Sequence, residues 1–106
     1  MARLHDPIQE DDLTSLPGAD LVLAGLKELR EGEPGECGLL VLIAFSRLVR
    51  LGLEVPARND LERPLEHLLY ARLEITHASD AYSRYNSLLR SMASFARALE
   101  QQVNET

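Results

Sequence analysis

Glu74 and His77 stand three residues apart in the second half of this 106-residue chain. On a helix that spacing puts both side chains on one face. Glu-x-x-His is also the spacing by which one helix gives two ligands to a carboxylate-bridged metal pair. His67 and Tyr70 continue the same three-four progression, so His67, Tyr70, Glu74 and His77 line one polar flank. A complete site of this type needs a second motif and further carboxylates. The chain holds one Glu-x-x-His, so a two-fold dimer would have to supply the other, with Glu62 and Glu66 as the nearest extra carboxylates. The plainer reading is a solvated helix flank, and it is preferred because the motif is short and unaccompanied. No metal or other cofactor is expected.

The other residues capable of chemistry are similarly outweighed. Arg84, Arg90 and Arg97 follow on the same stretch, the last two one heptad apart. A basic stripe could meet phosphate if other chains extended it. The acidic balance of the chain and the lack of neighbouring exposed aromatics count against nucleic acid. Gly32-x-x-Gly35-x-x-Gly38 invites a phosphate loop. It lacks the Lys-Ser/Thr ending of a Walker A sequence, and Glu31, Glu33 and Glu36 would repel an anion, so it reads as a turn. Cys37 precedes an apolar run, and the nearby glutamates oppose a thiolate. Tyr82 and Tyr85 fall on an apolar line, where rings pack and hydroxyls reach an edge. No Ser-His-Asp or comparable pattern is present, and the expectation is a protein that is not an enzyme.

Bulk composition narrows the class. The formal charge is −6, and residues 1–36 account for it with nine acids and three bases, while residues 37–106 balance at eight and eight. Such a balance disfavours general affinity for nucleic acid or anionic membranes. One cysteine excludes an internal disulfide and fits a reducing cytoplasm. The longest apolar run, Leu39 to Phe45, is seven residues, far short of a membrane span. Aromatics are few and tryptophan absent, so the core must be leucine and alanine, which suits helices.

The elements that position these residues follow from periodicity. Residues 1–16 read as a flexible acidic arm with one short turn around Leu13 and Leu16, and 17–106 as a single helical domain. Apolar residues at 22, 26 and 29 between Pro17 and Gly32 give a helix over about 18–31. Leu39 to Phe45, continued by Arg47, Leu48, Arg50 and Leu51 to Gly52, gives a second over about 36–51, apolar nearly all round at its start and so central to the core. Asn59 or Asp60 could cap the next, Asn59-x-x-Glu62 being close to a capping box.

Beyond Pro64 there is neither glycine nor proline. Leu61, Pro64, Leu68, Ala71, Ile75, Ala78, Tyr82, Tyr85, Leu89, Met92, Ala96, Leu99 and Val103 recur at alternating steps of three and four. Twelve of these thirteen are apolar, against nine of the thirty residues between them, the pattern of a helix with a coiled-coil seam. One helix over 61–103 would run about 65 Å and would need another chain. The competing reading breaks it at Thr76–Asp80, where Thr76, Ser79 and Asp80 are good caps, and closes a compact monomeric four-helix bundle. The unbroken helix is favoured because the heptad phase crosses 75, 78 and 82 without a slip.

The expected fold is therefore all-α: a helical hairpin plus a long C-terminal helix in an oligomeric bundle, most simply a homodimer. Its interface would be Ala78, Tyr82, Tyr85, Leu89, Met92, Ala96, Leu99 and Val103. The expected function is a non-enzymatic protein–protein interaction module, a small acidic adaptor, chaperone or regulator with a protein partner.

Overall fold

The computed structural model describes residues 13–57 and 64–104, and among these the fold is all-α, with five α-helices in the order α1 (Ala19–Glu31), α2 (Glu36–Ile43), α3 (Phe45–Arg50), α4 (Leu65–His77) and α5 (Ala81–Asn104). No strand occurs among the described residues. The acidic stretch 1–12, the Asn59 and Asp60 caps, Leu61 and Glu62 lie outside the described residues.

Helix α1 buries Ala19, Val22, Gly25, Leu26 and Leu29, the face expected from the 22, 26, 29 spacing. It ends at Gly32, whose φ of 90° is left-handed. There Gly32 N–H donates to Leu29 O and Glu33 N–H to Glu28 O, the paired bonds of a Schellman stop. Gly52, at φ 106°, ends α3 in the same way, with Gly52 N–H on Val49 O and Leu53 N–H on Leu48 O. Leu53 and Leu48 are both buried, supplying the apolar contact that accompanies this motif. Leu13 is buried too, so the core reaches upstream of residue 17. Leu16 N–H bonds back to Leu13 O at 3.0 Å, which makes the short turn expected there.

The second expected helix is interrupted. At Ala44 ψ moves to 13°, and the segment divides into α2 and α3. The hydrogen bond from Leu48 N–H to Ala44 O at 3.0 Å carries the ladder onward. Residues 38 to 42 of α2 are all buried. This helix is the centre of the core, in contact with α1, α4 and α5.

The expectation of one unbroken C-terminal helix is corrected. A 3-10 turn at Ala78–Asp80 separates α4 from α5, and Ala78 has φ 31° and ψ −101°, outside the helical region. The Tyr70 and Tyr85 ring centroids lie 5.4 Å apart, whereas fifteen residues of straight helix would separate them by about 22 Å. The two helices therefore fold back on each other. The Cα radius of gyration is 14.1 Å and the longest dimension 49 Å, less than the unbroken helix would need alone.

The physical reason lies in burial and in a distant anchor. Leu69 and Leu73 of α4 and Leu88, Phe95 and Leu99 of α5 all enter one core with α1 and α2, which a straight helix could not achieve within one chain. The end of α4 is also tied to the start of α2: the Thr76 hydroxyl donates to Glu36 Oε2 at 2.8 Å, and His77 Nε2 lies 3.6 Å from the same oxygen.

The candidate functional site

The heptad line is not one continuous face. Met92, Ala96 and Leu99 are buried in the chain's own core. Tyr85 and Leu89 are half-buried, and Ala78, Tyr82 and Val103 are exposed. Of the expected interface set, the surface therefore keeps the part nearest the α4–α5 turn, together with Val103. Ile75 is 83% exposed and Tyr82 69%, large apolar groups left at the tip of the hairpin.

A groove lies between α4 and α5. It has a volume of about 300 Å³ and is lined by Glu66, His67, Tyr70, Ala71, Glu74 and Tyr85. The α4 residues are one face of that helix, repeating at turns, and Tyr85 is contributed across the hairpin by α5. The two rings meet edge to face, with 81° between their planes, a favoured aromatic geometry. Tyr70, Ala71 and Tyr85 are half-buried, while Glu66, His67 and Glu74 are exposed. Among the described residues neither Glu66 nor Glu74 has an ion-pair or hydrogen-bond partner, and no lysine or arginine lines the groove.

The polar flank of α4 is thus divided. His67, Tyr70 and Glu74 line the groove, whereas His77 approaches Glu36 on α2. Among the described residues no group of three or more His, Cys, Asp and Glu side chains converges as metal ligands would.

The basic candidates are divided as well. Arg90 and Arg97 are exposed on α5, but Arg84 is half-buried, and its Nε is buried without a hydrogen-bond partner.

The glycine-rich segment does bind an anion, and the anion is the chain's own. Glu28 on α1 places Oε1 2.7 Å from both Gly35 N–H and Gly38 N–H, occupying the positive N-terminal end of α2. A Cβ on Gly38 would lie 2.9 Å from that oxygen and 3.0 Å from Pro34 Cβ. The repeated glycines let a carboxylate, not a phosphate, seat itself there. Burial pushes the Cys37 thiol above its ordinary range, and the charges of Glu28, Glu36 and Asp20 add to this while Arg84 opposes it.

A second depression, of about 580 Å³, lies at the far end near Arg30, Phe45, Val49 and Val55. No helix among the described residues is long and apolar enough to cross a membrane.

The role of Tyr85 beside Tyr70 carries no signal in the sequence, because it depends on where the helix breaks. The same is true of Glu36 as the anchor for Thr76 and His77, forty residues away. Comparison with models of protein families, with curated proteins and with solved structures finds no match.

Proposed function

We propose that this chain is a non-enzymatic protein–protein interaction module, a small acidic adaptor or regulator that makes its contacts through the α4–α5 hairpin. The observation that carries the reading is the exposure of Ile75 and Tyr82 at the tip. Side chains of that size are commonly covered, and together with half-buried Tyr85 and Leu89 they form an apolar surface of the kind used for association. The sequence offers no catalytic motif that competes with it. Self-association into a dimer is the simplest use of such a surface, now through the tip and its flank, since Met92, Ala96 and Leu99 are committed to the chain's own core.

Sedimentation equilibrium on untagged protein over a range of concentrations tests this. A dimer that dissociates on the double change Ile75→Ser/Tyr82→Ser supports contact through the tip. A dimer indifferent to that change, or a strict monomer, overturns self-association through this hairpin.

A further inference from the structure

We infer that the groove between α4 and α5 receives a basic side chain, an arginine, projecting from a protein partner docked on the hairpin tip. The inference rests on the reading of the tip as a protein contact surface and adds the chemistry of what is recognised.

Charge complementarity selects the occupant. Among the described residues Glu66 and Glu74 flank the groove without partners, and no lysine or arginine lines it. Eight residues of helix separate them by about 12 Å along the axis, with Tyr70 and Ala71 between. A cation lying over this middle section would meet aromatic surface from Tyr70 and Tyr85, whose π-systems attract positive charge, and either carboxylate would lie within a side chain's reach.

Arginine fits better than lysine. Its planar guanidinium stacks on rings and pairs with a carboxylate through two parallel N–H donors. The groove is open to solvent rather than enclosed, so a side chain delivered from an adjacent surface suits it better than an enclosed small molecule.

The tip supplies that adjacent surface. Ile75 is one turn beyond Ala71 on α4, and Tyr82 one turn before Tyr85 on α5, so both lie a turn from the groove on its tip side. A partner resting on Ile75 and Tyr82 is placed to extend a side chain between Glu66 and Glu74.

The test uses two capped peptides of one sequence, leucines around a single central arginine or around citrulline, which has nearly the same shape and no charge. Each is titrated into the full chain and followed by NMR of amide and tyrosine ring signals. The arginine peptide is expected to move Tyr70, Ala71 and Tyr85 and to bind about tenfold more tightly than the citrulline peptide, the scale of one cation–π contact with a carboxylate nearby. In Glu66→Gln/Glu74→Gln, two exposed changes that leave the fold intact, that preference should vanish while citrulline binding stays the same. Equal affinity for both peptides, shifts confined to other surfaces, or no shifts at all would overturn the inference. The Ile75→Ser/Tyr82→Ser chain keeps the groove lining. Arginine-selective shifts there, beside a self-association that ignores the change, would show the tip reading failing while the groove stands.

Discussion

The rings of Tyr70 and Tyr85 meet edge to face at 5.4 Å, and this contact joins two helices that the sequence presents as one. Pairs of this geometry contribute about 0.5–1.5 kcal/mol beyond the area they bury. A double-mutant cycle on Tyr70→Leu and Tyr85→Leu, read by urea unfolding, should return a coupling of that size. Additive losses would mean that the rings do not meet in solution.

Leu73 and Ile75 provide a sharper test of where the hairpin folds. Leu73 is fully buried and Ile75 is 83% exposed, although Ile75 is the one that lies on the heptad line. Leu73→Ala should cost about 2–5 kcal/mol, as for other buried leucines. Ile75→Ala should stay within about 0.5 kcal/mol, as is usual for surface changes. A seam running through Ile75 would reverse that order, and thermal melts of the two variants at low protein concentration decide between them.

These two residues also show what the sequence could and could not reveal. Gly32 and Gly52 were readable as helix stops because their role is local: a left-handed residue closing bonds within its own last turn. The buried face of α1 was readable for the same reason. The break at Ala78–Asp80 was not, because spacing of three and four residues is identical in a straight helix and in a helix folded in half around a short turn. What separates the two is tertiary. Glu36 reaches Thr76 and His77 from another helix, and burying Leu69 and Leu73 together with Leu88 and Phe95 requires the fold-back. The groove was illegible on the same account, since Tyr70 and Tyr85 become neighbours only once the turn is known. The glycine pattern reads as a turn, but that its N–H groups would hold a carboxylate from α1 needed the structure, because Glu28 reaches Gly35 and Gly38 only once α1 and α2 are packed together.

Glu28 should matter out of proportion to its place on a partly exposed helix face. Its Oε1 accepts from both Gly35 and Gly38 N–H at 2.7 Å, doing for α2 what an N-cap side chain usually does. Glu28→Ala should therefore cost about 1–2 kcal/mol, the range for lost helix caps. Glu28→Gln keeps an acceptor oxygen but loses the charge that favours the helix N-terminus, so its loss should be smaller, nearer 0.5 kcal/mol. Urea unfolding of both variants checks the order; equal losses would place the contribution in packing rather than in the carboxylate.

Gly25 and Gly32 are required for different reasons, and alanine at each separates them. A Cβ at Gly25 would run into Cys37 O and lie 2.5 Å from Val41 Cγ2, so α1 and α2 would have to move apart. Alanine gains about 1 kcal/mol in helix propensity over glycine, but overpacking costs about 1–3 kcal/mol, and the involvement of a backbone oxygen favours a net loss. At Gly32 nothing stands within 4 Å, and the cost is the left-handed conformation alone, about 1 kcal/mol. Unfolding curves should show both variants destabilised. Only Gly25→Ala should also shift amide signals across the α1–α2 contact.

Cys37 gives the pH dependence its direction. Burial disfavours the thiolate first, Glu28 and Glu36 next, and Arg84 opposes them only in part. The folded thiol therefore ionises at higher pH than the unfolded one. Above the ordinary thiol range the unfolded chain has released a proton that the native chain still holds, so this contribution to stability falls as pH rises. It is fully present below the unfolded value and gone once pH passes the folded one. The rate of alkylation by iodoacetamide tracks the thiolate, and its rise should be displaced to higher pH than for a small free thiol. Glu36→Gln should bring the profile part of the way back, by removing one of the two nearest opposing charges. A rise that coincides with the free thiol would show that Cys37 is neither enclosed nor flanked by those carboxylates in solution.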